Sequence, residues 1–155
     1  MANLNTIQKH VLFVCTGNTC RSPMAAAIFN HFAEQKKINW FASSAGIATE
    51  TGLLVTKEAI QVLKDYDIHI EDHISHQLDE RMLNDTDIVI TMTNTQKDLL
   101  KIYFPDKKDK IFSLMEYADS DEEIEDPYGQ GLKKYQQIAA DLMVMIPKII
   151  KRLTT

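Results

Sequence analysis

Apolar residues fall into short runs alternating with longer amphipathic stretches. Val11-Leu-Phe-Val14 and Ile88-Val-Ile90 are continuous β-branched or bulky runs, as expected of strands buried on both faces. Around them the pattern predicts strands at His10 to Cys15, Trp40 to Ser44, Asp87 to Met92 and Lys110 to Leu114. Helical spacing predicts helices at Ser22 to about Gln35, Thr56 to Tyr66, Asp79 to Asn84, Thr95 to Tyr103 and Leu132 to about Arg152. Ile74 to Leu78 reads as a connector, and Pro147 is expected to kink the last helix or begin a new segment. Strand–helix alternation implies an α/β fold, a doubly wound, four-stranded parallel sheet with helices on both faces. No repeat or second domain is visible, so residues 1–155 read as one domain.

The first strand delivers Cys15 into the loop Thr16-Gly-Asn-Thr-Cys-Arg-Ser-Pro23. Ligands on such sheets bind outside the carboxyl ends of the strands, where this cysteine emerges. Ser22 is a plausible helix cap and Pro23 suits the first turn. Successive N–H groups between strand and helix can form an anion nest, and Arg21 offers a planar fork of donors. A thiolate is stable at a helix N-terminus or beside a fixed cation. The stretch is therefore a thiolate inside an oxyanion cradle, suited to attack on phosphorus. It lacks the Gly-Lys-Ser/Thr ending of a nucleotide-binding phosphate loop. Ser22 can donate to the thiolate, and Asn18 can brace the loop through its amide. The plain alternative is a buried strand-end cysteine beside a surface arginine.

Composition narrows the partners. The formal net charge of −5 argues against nucleic acid. No run is long enough to cross a bilayer, and Met1-Ala-Asn-Leu-Asn-Thr6 lacks the features of a secretory signal. The expected protein is cytoplasmic and monomeric. The only two cysteines, Cys15 and Cys20, sit in the same loop, so a reversible redox pair is expected rather than a structural disulfide. His10, His31, His69 and His73 lack metal-ligand spacing; no metal and no cofactor is expected. Asp119-Ser-Asp-Glu-Glu-Ile-Glu-Asp126 is a biased acidic stretch, read first as a solvated loop.

The order Cys15, five residues, Arg21, Ser22, Pro23 resembles the low-molecular-weight protein tyrosine phosphatase family. Ser44-Ala45-Gly46 and Asp126-Pro127-Tyr128 match that family's second-strand end and late Asp-Pro-aromatic motif, so the resemblance spans essentially the whole chain. It implies a phosphocysteine intermediate, with Cys15 and Arg21 catalytic and Thr16, Gly17, Asn18, Thr19, Cys20 and Ser22 around the phosphate. Leaving-group protonation needs an acid, and a carboxyl group held near negative charge keeps its proton longer. Residue type alone does not single out Asp126 among the acidic residues; the resemblance does, with Tyr128 as a wall for the substrate. It also implies that Ser44 and His76 form a polar network behind the loop, although a surface histidine is the plain alternative for His76.

Three positions bear on the substrate. Thr19 stands where the family's tyrosine phosphatases most often carry isoleucine, Thr93 where they commonly carry aspartate, and Gly129 where a second aromatic is frequent. This version resembles the bacterial protein arginine phosphatase branch. A β-branched aliphatic residue at position 19 would crowd a guanidinium and leave its N–H groups unpaired, whereas threonine offers an oxygen. The chain departs from the family at Ala26, where Glu is frequent, and at Gln130 in place of a frequent glycine. Phosphorylated proteins are the implied substrates, with phosphoarginine ahead of phosphotyrosine. A non-catalytic phosphate-binding or redox-sensing module, and arsenate reduction on the same fold, stay as alternatives; the latter usually needs a further cysteine.

Overall fold

Along Val11–Cys15 no residue is more than 1% exposed, because this strand runs through the middle of the sheet with a hydrophobic layer on each side. The computed structural model describes residues 7–155; the N-terminal hexapeptide read above for a signal lies outside the described residues. Strands β1 (Lys9–Cys15), β2 (Trp40–Gly46), β3 (Ile88–Thr91) and β4 (Ile111–Ser113) form one parallel sheet in the order β2-β1-β3-β4. The register pairs Cys15 with Gly46 and Val11 with Ile88. Chain order reverses at β1, which opens a crevice between the carboxyl ends of β1 and β3.

Alternation along β1 divides the core. Val11 and Phe13 join Ile88 and Ile90 on one face, beneath helices α1 (Arg21–Lys36), α2 (Lys57–Lys64) and the long C-terminal helix. Leu12, Val14 and Val89 point to the other face, covered by Leu83 of α3 (Glu80–Asn84) and Leu100 of α4 (Asn94–Tyr103). The expected α/β sheet with helices on both faces is the observed one. Thr56, Asp79 and Thr93 cap α2, α3 and α4 through their side chains, as short polar residues at helix starts do.

Four local expectations are corrected. β2 runs two residues further than read, to Gly46. β4 is only Ile111–Ser113, preceded by a 3₁₀ segment at Pro105–Lys110. Leu114 starts a short helix, α5 (Leu114–Tyr117), because Ser113 and Glu116 close a capping box around it. The last helix, α6 (Leu132–Leu153), is continuous through Pro147, so no new segment begins there. An interior proline costs about 3 kcal/mol. Ile146, Ile149 and Ile150 flank it and are at most 1% exposed, and each such burial contributes roughly 1.5–3 kcal/mol. Packing therefore outweighs the missing hydrogen bond. Among the described residues no helix is long and apolar enough to cross a membrane.

Candidate active site

The loop leaves β1 at Cys15 and turns through Asn18, a fully buried residue at φ 56°. Asparagine tolerates this left-handed conformation better than most residues. α1 then starts at Arg21, one residue before the expected position, with Cys20 as its cap. Ser22 is thus inside the first turn and does not cap it. No side chain caps this end, so the unpaired N–H groups of the helix start stay available to an anion. Among the described residues the N–H groups of Gly17, Thr19 and Cys20 have no partner either.

A single cavity of about 170 Å³ is lined by Cys15, Thr16, Gly17, Asn18, Thr19, Cys20, Arg21, Asp126 and Tyr128. The fold has therefore brought a distant Asp-Pro-Tyr segment to the mouth of the cysteine loop. Arg21 is 5% exposed, and one terminal nitrogen donates to Ile124 O at 3.1 Å. Ile124 N in turn bonds to Met92 O at 3.3 Å, just past the end of β3. The guanidinium thus ties the acidic segment to the sheet. Its Nε is buried without a partner among the described residues, a charged donor left for a ligand in the cradle. Asp126 is exposed; its Oδ1 accepts from Tyr128 N at 3.1 Å and lies 4.0 Å from Cys20 Sγ. Burial, followed by the neighbouring Cys15, pushes the Cys20 thiol up to about 12, so it stays protonated at neutral pH.

The hydrogen-bond directions around Cys15 follow from one unambiguous donor. The backbone N–H of His76 donates to Asn18 Oδ1 at 2.9 Å. That fixes the Asn18 amide, whose Nδ2 must then donate to Ser22 Oγ at 2.8 Å. Ser22 is left with its own proton to give, and Cys15 Sγ lies 2.9 Å away, with Ala45 O at 3.5 Å. Asn18 N also points at the sulfur, at 3.3 Å. Two donors thus converge on Sγ.

The residues expected behind the loop behave differently from one another. His76 braces the loop through its backbone, not its ring. Ser44 is buried, but among the described residues its hydroxyl has no hydrogen-bond partner; it lines a separate cavity of about 310 Å³ with His73 and His76. The ring that does reach the loop is His73, whose Nε2 donates to Asn18 O at 3.1 Å. Burial lowers its basicity, opposed by the Asn18 carbonyl and assisted by His76, and a carbonyl partner places a proton on Nε2. No local pattern marks His73, because its partner lies 55 residues away. Gln96 was also missed: its Nε2 donates to Thr16 Oγ1 at 3.1 Å.

Gly46 sets how closely β2 can approach. A Cβ there would stand 2.9 Å from Thr16 O and 2.8 Å from Thr49 Cγ2, closer than carbon allows. Gly46→Ala is expected to push the strand end away from the loop, costing about 1–3 kcal/mol and weakening phosphate binding further. Thermal denaturation and phosphate titration read the two effects separately; unchanged phosphate binding would refute the close-approach argument.

Residues 10–155 match the family model described as low molecular weight phosphotyrosine protein phosphatase. The chain is 35% identical over 144 residues to a protein-arginine-phosphatase of Bacillus subtilis, covering 92% of this chain and 95% of that protein. It superposes with TM-score 0.90 on the low molecular weight protein tyrosine phosphatase of T. tengcongensis, at 41% identity, with 93% of this chain and 99% of the other covered. It superposes equally well, with TM-score 0.90 at 33% identity, on a YwlE arginine phosphatase variant bearing a phosphorylated active-site serine. Coverage there is 94% of this chain and 96% of that one.

Proposed function

The chain belongs to the low molecular weight phosphotyrosine protein phosphatase family, and on that premise we propose that it removes phosphate from phosphoarginine in proteins, with Cys15, Arg21 and Asp126 as its catalytic residues. Cys15 Sγ attacks phosphorus in line, and the bond from phosphorus to the departing nitrogen breaks. Asp126 gives its proton to that nitrogen. The equatorial oxygens rest on the loop amides of residues 16–21 and on the Arg21 fork, donors that favour the spread charge of the transition state. Asp126, now ionised, takes a proton from water; the water oxygen attacks the phosphocysteine, and phosphate leaves with Cys15 restored as thiolate. Ser22 stabilises the sulfur anion in both steps.

The observation that carries this reading is the shared cavity, in which the loop, Asp126 and Tyr128 face one another. Thr19 supports arginine over tyrosine, since its oxygen can accept from a guanidinium that isoleucine would exclude. Tyr128, 73% exposed, can stack on the flat group. The acidic run ending at Asp126 suits a cationic leaving group. In this reading Cys20 traps an oxidised Cys15 as a disulfide, and the protein acts as a cytoplasmic monomer, where both thiols stay reduced. The phosphotyrosine alternative draws on the 41%-identical tyrosine phosphatase and on the same Tyr128 ring.

Paired turnover assays on phosphoarginine and phosphotyrosine peptides separate the two. Thr19→Ile is expected to lower kcat/KM for phosphoarginine by about 10- to 100-fold and to raise the relative rate on phosphotyrosine. A wild-type preference for phosphotyrosine would refute the arginine assignment and leave the phosphatase chemistry intact.

A further inference from the structure

Gln96 belongs to α4, not to the cysteine loop, and in the sequence it is marked only as the last residue of the Thr93-x-x-Gln96 capping pattern. It is 6% exposed, and every polar atom of its side chain is engaged. Its Oε1 accepts from the backbone N–H groups of Met92 and Thr93, each at 3.1 Å. Its own N–H bonds to Thr93 Oγ1, which makes it the third-position residue of the α4 capping box. Backbone N–H groups can only donate, so the end of the carboxamide facing them is the oxygen. The other end is therefore the NH₂ group, and it faces Thr16 Oγ1 at 3.1 Å.

This settles the Thr16 hydroxyl. An oxygen that accepts from Gln96 keeps its own proton for another partner. Thr16 follows the nucleophile directly and lines the same cavity. The geometry points to Gln96 as a positioning residue that turns the Thr16 hydroxyl into a hydrogen-bond donor toward a phosphoryl oxygen of the substrate. The inference rests on the phosphoryl-transfer reading of the cavity. A bound phosphoryl group presents only acceptors. A hydroxyl free to rotate would offer lone pairs part of the time, whereas one held by Gln96 is preorganised to donate. The anchor is stiff. Met92 N also bonds to Val14 O at 3.1 Å, and Thr91 Oγ1 donates to Thr93 O at 2.8 Å. Met92 O takes Ile124 N, in the segment that leads to Asp126. The Thr16 donor, the acid segment and the nucleophile strand are therefore referred to one piece of backbone.

Gln96→Glu tests this without changing side-chain length. One carboxylate oxygen can still accept from Met92 and Thr93, which preserves the cap. The other can only accept, so Thr16 must donate to it and its proton leaves the cavity. Thr16→Val removes the hydroxyl altogether. Inorganic phosphate binding by calorimetry and turnover of 4-nitrophenyl phosphate and phosphoarginine peptide are measured on wild type, both single variants and the double variant. Each single variant is expected to weaken phosphate binding by about tenfold, and Gln96→Glu to have little further effect once Thr16 is valine. If Gln96→Glu weakens binding as much in the Thr16→Val background as in wild type, the new charge acts through space and the inference is overturned.

Thr16 is exposed, so Thr16→Val and Thr16→Ser keep the fold even if Gln96→Glu does not. Serine is expected to bind phosphate like wild type, and equal binding by the valine variant also overturns the inference. Phosphate binding with the expected coupling but no turnover of any phosphate ester or amide would instead sink the catalytic reading and leave the Gln96–Thr16 relation standing.

Discussion

Cys15→Ser is expected to abolish turnover, lowering kcat by at least about 10⁴-fold, while leaving the fold and phosphate binding close to wild type. The two donors that converge on Sγ, Ser22 Oγ at 2.9 Å and Asn18 N at 3.3 Å, can serve a serine oxygen equally well, so the loop keeps its shape. What is lost is the nucleophile: a hydroxyl ionises far less readily than a thiol, and hydrogen bonds of this strength do not close that gap. The cradle amides and Arg21 are untouched, so phosphate still binds. Stopped assays with phosphopeptide, together with intact-mass spectrometry, check this directly. A phosphorylated serine that accumulates slowly agrees with in-line attack from position 15. Residual turnover above about 1% of wild type would place the nucleophile elsewhere and overturn the phosphocysteine mechanism.

Asp126→Asn is expected to cost about 10²–10³-fold in kcat on phosphoarginine peptide, with little change in inorganic phosphate affinity. Asparagine keeps the Oδ1 acceptor that holds Tyr128 N at 3.1 Å, so the segment retains its turn while losing its transferable proton. The loss should shrink on 4-nitrophenyl phosphate during formation of the phosphocysteine, because that leaving group departs without a proton. Hydrolysis of the intermediate, where the carboxylate works as a base, should stay slow on every substrate. Burst kinetics separate the two steps. A variant that loses phosphate binding in proportion to activity would make Asp126 a binding residue, and full activity would mark the cavity as working without it.

The readable parts of the fold share one property: their signal is contained in a few neighbouring residues. Val11–Cys15 alternates between two hydrophobic layers, and its residues are apolar at every position, so the strand could be placed to within one residue. Leu114 reads as the end of a strand because Ile111 and Leu114 are both apolar, while the capping box that starts α5 depends on Glu116 closing on Ser113. Pro147 predicts a kink in the last helix or the start of a new segment. No new segment begins there, because the buried isoleucines on both sides hold the helix together. At the site, Ser22 looked like a cap because of its residue type, yet its hydroxyl is taken by Cys15 and Asn18.

The sequence by itself determined the parallel α/β sheet and the reactive loop, because strand periodicity and a contiguous Cys15-to-Pro23 stretch carry their physics locally. Only the tertiary structure decided what surrounds that loop. Asp126 reaches Cys20 across 106 positions, Gln96 reaches Thr16 across 80, and His76 N and the His73 ring brace Asn18 across 58 and 55. Each of those meetings depends on how the sheet is ordered and how closely β2, at Gly46, approaches the loop. Hydrogen bonds act over about 3 Å, so a sequence can name the groups able to make them, and only the packed backbone selects which ones do.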